Sequence, residues 1–420
     1  MFKFKKLSKQ ERAWVLYDVA NSAFVLTVIT VLFPLYHTAL DDTPDNALSI
    51  FSFVTAGIAF VTAVLSPIMG SLANYKGNKK KFFRLFLTIG LMGGLGIAIP
   101  GLSWLVLISI FVIASIGYNL TNVMYDAFLV DVTSEDRYDE ISALGFAWGY
   151  IGSMIPFFIA IIPFALVNFG FLDESYYGFT MTFAFIVVFF WWLYYSLPML
   201  REVKQTYEIE HEPKPVRQSL KRMNQTFREI RKYRNIFIFM IAYLLYIDVV
   251  NTVIRLATTI GRGLEVSDTT LLAVVIIVQL IAFPCAIVYG RLAQKLGGKT
   301  MLYFGILMYA LTIFVVTQIV EGREWLMYLV AILVGMAQGG IQSVSRSFFA
   351  KMLPIEKANE FFGFFSVFGK FSGIFSPFLL GMLISRVSAN RAVLVLLAPL
   401  AIGALVLSFV KDEKAVAISG

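Results

Sequence analysis

A single cysteine, Cys285, and two histidines, His37 and His211, are all that the 420 residues contain of the two commonest soft metal ligands. A disulfide framework and a Cys/His metal site are thereby excluded by inventory, and neither a metal nor any other cofactor is expected. Charge is also scarce, at 15% of the chain, where a soluble domain carries roughly a quarter. There is no Walker-type phosphate loop, which argues against a nucleotide-driven pump. There is no H-E-x-x-H or G-x-S-x-G element either, and both histidines fall outside the most apolar stretches, so an intramembrane enzyme is not expected.

What remains is hydrophobic: 58% of the residues. A hydrocarbon core about 30 Å thick needs roughly 20 mostly apolar residues per helix. Windows of that length recur at 13–36, 49–72, 82–100, 103–128, 141–168, 178–200, 236–261, 269–290, 300–320, 325–350, 360–385 and 391–410. The reading is an all-α integral membrane protein of 12 transmembrane helices. The first span follows basic residues as a secretory signal would, but it is too long and lacks an A-x-A site, so it is expected to stay uncleaved. Most Lys and Arg outside the spans lie in the loops shared with the two termini. That bias predicts both termini in the cytoplasm of a multi-pass cell-membrane protein. The formal charge of +8 therefore reflects topology, with anionic lipid rather than nucleic acid as the partner of the basic loops.

The longest polar interval, 201–235, divides the chain into residues 1–200 and 236–420, with six spans in each. Inside it Leu220, Met223, Phe227 and Ile230 fall at helical spacing among basic residues. Both an interfacial amphipathic helix and a solvated basic linker fit that pattern. The second half echoes the first. Gly70-Ser71-Leu72-Ala73-Asn74-Tyr75-Lys76-Gly77-Asn78-Lys79 aligns without a gap with Gly290-Arg291-Leu292-Ala293-Gln294-Lys295-Leu296-Gly297-Gly298-Lys299, and Asp18-Val19-Ala20-Asn21-Ser22 in span 1 matches Asp248-Val249-Val250-Asn251-Thr252 in span 7. Two pseudo-symmetric six-helix bundles are the architecture of carriers that bind a solute between their halves near mid-membrane and rock around it.

Ionised or amide side chains inside a span cost roughly 3 kcal/mol each when charged, and so should face protein or water. Asp18, Asn21 and Ser22 share a face of span 1; Asn119, Asn122 and Asp126 do so in span 4; Asp248, Asn251 and Arg255 in span 7; Gln338, Gln342, Ser345 and Arg346 in span 10. These are the first and fourth spans of each half, the ones expected to line a central path. The proton-coupling candidates are Asp248, Asp18 and Asp126. Asp248, nearest the middle of its span, comes first, because a carboxylate whose surroundings open and close can gain and lose a proton. Asn21, Asn122, Asn251, Arg255, Gln338, Gln342 and Arg346 are the candidates for contacting a small-molecule substrate. Arg255 either holds an anionic group or compensates Asp248 or Asp18. Asp126 and Arg346, towards the cytoplasmic ends of their spans, serve either a gate or the substrate. Lys370 in span 11 is another cation in an apolar setting.

The glycine-leucine-alanine segments resemble the loop signature of the major facilitator superfamily, with Asn74 and Gln294 standing where that signature carries an acid. Tyr17-Asp18-Val19-Ala20-Asn21-Ser22-Ala23, Gln338-Gly339-Gly340-Ile341-Gln342-Ser343-Val344-Ser345-Arg346-Ser347, Glu360-Phe361-Phe362-Gly363 and Gly369-Lys370 are together similar to the vacuole effluxer-like branch of that superfamily, over essentially the whole chain. The resemblance implies a secondary transporter, and the vacuolar members' release of amino acids implies a substrate of that kind, by symport or antiport with protons. A channel or a non-transporting sensor on the same fold, or a carrier of an unrelated metabolite, are the alternatives.

Overall fold

The computed structural model describes residues 7–210, 217–221, 224, 233–263, 268–320, 322–323, 325–372, 375–384, 387 and 389–411. These are helical nearly throughout, and no strand occurs among them. Such a chain has little choice: inside lipid each backbone N–H and C=O must find its partner within its own segment, which a helix achieves and an open strand does not.

The long helices are α1 Lys9–Tyr36, α2 Ala47–Ala73, α3 Asn78–Ile97, α4 Trp104–Ala127, α5 Tyr138–Asn168, α6 Tyr177–Glu202, α7 Arg234–Gly263, α8 Asp268–Leu296, α9 Gly298–Thr317, α10 Leu326–Met352, α11 Ala358–Phe371, α12 Phe375–Ile384 and α13 Leu397–Ser408. A capping box starts α1: the Glu11 N–H donates to Ser8 Oγ at 3.1 Å and the Ser8 N–H to Glu11 Oε2 at 2.7 Å. Such reciprocal bonds satisfy two otherwise orphaned donors. Its middle, Phe24–Leu32, is wound as a π-helix.

Ten helices among the described residues are long and apolar enough to cross a membrane. The third expected span, α3, opens with Lys79, Lys80, Lys81 and Arg84, and the twelfth is represented by the shorter apolar stretch Val393–Ser408. The eleventh, expected as one run, is two helices. α11 ends where Ser372 turns extended, and α12 resumes at Phe375 with Pro377 in its first turn, where the missing N–H breaks no helical bond. Large apolar side chains such as Phe53, Leu105, Phe179, Phe314 and Phe378 are exposed, which costs nothing when the surrounding solvent is hydrocarbon. Of the apolar linker set, Leu220 is exposed, while Met223, Phe227 and Ile230 lie outside the described residues.

α1 packs on α5 and α6, α3 on α4, and, in the second half, α8 and α9 on α10 and α7 on α13. The halves meet where α5 lies against α8 and α10, and where α11 lies against α2 and α4. Glycine makes one such contact: a Cβ at Gly70 would run into the backbone carbonyl of Asn359.

The signature loop between α2 and α3 is held without an acid at Asn74. The segment after α6 straps it: Ile209 N–H donates to Asn74 O and Lys76 N–H to Ile209 O, both at 2.9 Å. Gln205 Nε2 also donates to Ala73 O at 3.0 Å. Beneath the strap Lys79 is fully buried against Asp131, whose other carboxylate oxygen accepts from the Thr206 N–H at 2.7 Å.

Candidate functional site

Arg346 belongs to the second half, yet four of its contacts are with the first. Its Nε donates to Ser142 Oγ at 2.9 Å, Nη1 to Asp126 Oδ1 at 3.1 Å, and Nη2 to Ser142 O at 3.0 Å and to Asp18 Oδ2 at 3.4 Å. The guanidinium lies 4.6 Å from the Trp14 ring centroid and 4.5 Å from that of Phe146. A planar fork of donors suits this arrangement, since it can meet several acceptors at once while stacking on aromatic faces. Asp18 is held in turn: Tyr125 Oη donates to Asp18 Oδ2 at 2.7 Å and Asn21 Nδ2 to Oδ1 at 3.4 Å. Tyr125 is itself fixed by Trp14, which stacks on it at 4.5 Å and donates from Nε1 to the Tyr125 carbonyl at 2.9 Å. Gly145 leaves the room, because a Cβ there would collide with the Asp18 carboxylate and stand 3.2 Å from Arg346 Nη2.

Further inter-half bonds surround this cluster towards the basic end. Lys351 Nζ donates to Asp139 Oδ2 at 2.7 Å, Ser347 Oγ to Asp139 Oδ1 at 2.5 Å, and Ser142 Oγ to Ser343 O at 2.8 Å. Gln294 Nε2 reaches the Asp136 carbonyl at 3.2 Å.

Beside the cluster lies a cavity of about 140 Å³. Asp126, Asn251, Gln342 and Arg346 give it polar walls and Phe146, Tyr243, Ile247 and Phe365 apolar ones. With four polar side chains among eight and three aromatic rings, the lining is more polar than that of most small-molecule sites. Asp126 is the open member of the ion cluster, with 29% of its side chain exposed against 8% for Asp18. Its Oδ2 makes no hydrogen bond among the described residues.

Of the residues singled out in the sequence, the structure brings Asp18, Asn21, Asp126 and Arg346 into one cluster and Asn251 and Gln342 onto the cavity. Asn122 and Gln338 stand one helical turn from Asp126 and Gln342, and the buried Asn122 Oδ1 and Gln338 Oε1 have no hydrogen-bond partner among the described residues. Asp248 is elsewhere. Its Oδ2 accepts the Ser376 N–H at 2.6 Å, in the first turn of α12, and Asn251 Nδ2 donates to Ser372 Oγ at 2.8 Å. The two residues thus brace the interruption of the eleventh span, with a carboxylate at a helix N-terminus where it is electrostatically favoured. The Arg255 side chain lies outside the described residues. Ser142, Trp14, Tyr125 and Tyr243 were not singled out beforehand; hydroxyls and aromatics are too common in membrane helices to stand out.

The arrangement, a polar cavity between two helical bundles bridged by an arginine, is matched by what the chain is similar to. The profile of the family described as vacuole effluxer Atg22-like matches residues 7–417. The chain belongs to this family. It is 40% identical over 421 residues to the uncharacterized MFS-type transporter YxiO of Bacillus subtilis, covering 99% of this chain and 98% of that one. With autophagy-related protein 22 of Saccharomyces cerevisiae (strain S288c) it shares 23% over 480 residues, 92% of this chain and 88% of that protein. Among solved structures, the proton:xylose symporter XylE bound to 6-bromo-6-deoxy-D-glucose superposes with a TM-score of 0.71 at 12% identity, over 98% of both chains. FucP in the outward conformation also gives 0.71 at 12%, over 96% of this chain and 98% of that one. This Atg22-like protein is accordingly a multi-pass membrane transporter of the major facilitator type.

Proposed function

We propose that this Atg22-like transporter is a proton-coupled carrier of a small zwitterionic solute of the amino-acid type, alternating the access of its central cavity between the two membrane faces. The observation that carries the reading is Arg346: an arginine of one half whose charge is satisfied by Asp18 and Asp126 of the other. Such a bond can exist only while the halves are together at that end, so it distinguishes one state of a rocking pair from the other. The inter-half polar bonds found among the described residues all lie between the basic end and the level of the cavity, as a carrier closed on its basic side requires. With both termini in the cytoplasm, as the basic loops suggest, that side is the cytoplasmic one.

Two carboxylates face one guanidinium in the cluster, so one negative charge is in excess. Asp126, with its free oxygen on the cavity, is the group that takes up a proton or meets a solute ammonium. Asp248, occupied as a helix cap, is the less suited of the acidic candidates. The family's vacuolar branch and the mixed charge of the cavity both favour an amino acid over a sugar.

The test is flux in proteoliposomes. A pool of L-amino acids should show saturable entrance counterflow and accumulate when a pH gradient is imposed. Asp126→Asn should lose the pH-driven accumulation and retain counterflow only at higher solute concentration, since the same carboxylate meets the solute ammonium. Accumulation by the variant equal to that of the parent would refute Asp126 as the coupling group, and linear, non-saturable flux in the parent would refute the carrier.

A further inference from the structure

One more charge stands beside the cavity than the ion cluster accounts for. Lys370 lies in α11, about 18 Å along the axis from its start, which is near the middle of a membrane-spanning run. It is half-buried. Its Nζ makes one bond among the described residues, to Asn119 Oδ1 of α4 at 2.6 Å, and forms no ion pair. Asn119 is a fixed, neutral acceptor, because its Nδ2 donates to the Ser115 carbonyl at 2.7 Å. The residues on either side bring this stretch of α11 to the edge of the cavity, while the Lys370 ammonium itself stands beside it on Asn119. A Cβ on Gly369 would stand 3.3 Å from Tyr243 Oη, and Ser372 accepts from Asn251; Tyr243 and Asn251 both line the cavity. The charge of Asp126 acts on Lys370, but no bond closes between them.

Arg346 has four of its five N–H donors on Ser142, Asp126 and Asp18, which leaves it little to offer an anion. An ammonium left with a single neutral partner at mid-membrane is an unfinished site, as intramembrane cations are otherwise paired. We infer that Lys370 is the anion-binding subsite of the transport cavity, receiving the carboxylate of the solute as that carboxylate displaces the Asn119 amide. The inference rests on the zwitterionic-solute reading and completes it: the ammonium goes to Asp126 and the carboxylate to Lys370, so the loaded cavity is charge-balanced on both sides. Binding and unbinding then switch Lys370 between Asn119, which belongs to the first half, and a mobile ligand. An empty carrier keeps the two halves joined through Lys370–Asn119 and a loaded one does not.

The experiment measures binding to purified full-length protein by calorimetry, using L-alanine, L-serine and L-leucine and the amide of each, which keeps the ammonium but lacks the carboxylate. Lys370→Gln should weaken the amino acids about 10- to 100-fold, the size of one charge-assisted hydrogen bond, and leave the amides unchanged. Lys370→Arg should retain most of the amino-acid affinity. Asn119→Leu, which removes only the competing amide, should tighten amino-acid binding and serves as the second variant if Lys370→Gln does not fold. Equal effects of Lys370→Gln on acids and amides, or none on either, overturn the subsite while leaving the carrier reading intact. A parent that binds none of the six overturns the zwitterionic reading and the subsite with it. Saturable binding of chloride or phosphate alone that depends on Lys370 and excludes the amino acids would assign the site to an inorganic anion and overturn it too.

Discussion

Replacing Arg346 by methionine deletes the bonds to Ser142, Asp126 and Asp18 while keeping a side chain of similar length against Trp14 and Phe146. The two carboxylates remain, and in the closed state no cation among the described residues is bonded to them. Removing one partner of a buried pair costs about 3–5 kcal/mol. Most of that loss falls on the state in which the halves are closed at the basic end, because once they part, water can hydrate Asp18 and Asp126. At 1.4 kcal/mol per tenfold, the equilibrium should move towards the open form by a hundredfold to a few thousandfold. The assay uses Ser343→Cys in a Cys285→Ser background. Ser343 is 1% exposed, and the inter-half bond there uses its backbone carbonyl rather than its hydroxyl, so the substitution leaves the seal in place. Alkylation by a small maleimide added from the basic side should be slow in that protein and faster by about two orders of magnitude with Arg346→Met. Arg346→Lys, which keeps one charge but not the fork, should fall between. An unchanged alkylation rate in an Arg346→Met protein that is folded and monodisperse would refute the idea that this arginine holds the halves together.

Two other perturbations separate structural roles from transport. Asp248→Ala removes the acceptor of the Ser376 N–H and should lower stability by about 1–2 kcal/mol, the usual size of a lost helix cap, with counterflow retained per folded molecule; thermal unfolding together with flux decides, and abolished flux at full stability would assign Asp248 to the transport cycle. Lys79→Met leaves the wholly buried Asp131 without its cation and should cost about 3–5 kcal/mol, whereas Lys79→Met with Asp131→Leu should recover much of it; no recovery in the double variant would mean that the backbone bonds from Thr206 and Tyr207 to Asp131 matter more than the ion pair.

Several parts of this picture were visible in the amino-acid order. The positions of the helices were, since each span is a local run of apolar residues. The candidate cluster was partly so: Asp18, Asp126 and Arg346 stand out because a charge is rare in such a run, and Asn251 and Gln342 because they share a helical face with one. The interruption of the eleventh span was not. Hydropathy averages over about twenty residues and passes over a break such as the extended Ser372, which is followed by Pro377 in the first turn of α12. The strap of residues 203–210 over the α2–α3 loop was hidden for the opposite reason: it is polar, and its bonds run mainly through backbone atoms that carry no sequence signature.

The sequence by itself determined the solvent of this protein, the order of its apolar runs and the faces that must avoid lipid, because transfer from water to hydrocarbon is a cost summed residue by residue along a short window. Only the tertiary structure decided which polar groups satisfy one another. Arg346 meets Asp126 and Asp18 across 220 and 328 positions of chain, and Lys370 meets Asn119 across 251. The structure thus has Arg346 bonded across the halves, Asp248 accepting from the first turn of α12, and Lys370 bonded to a neutral amide rather than to an acid among the described residues. Electrostatic and hydrogen-bond energies depend on separations of a few ångströms, and no local window of sequence contains them.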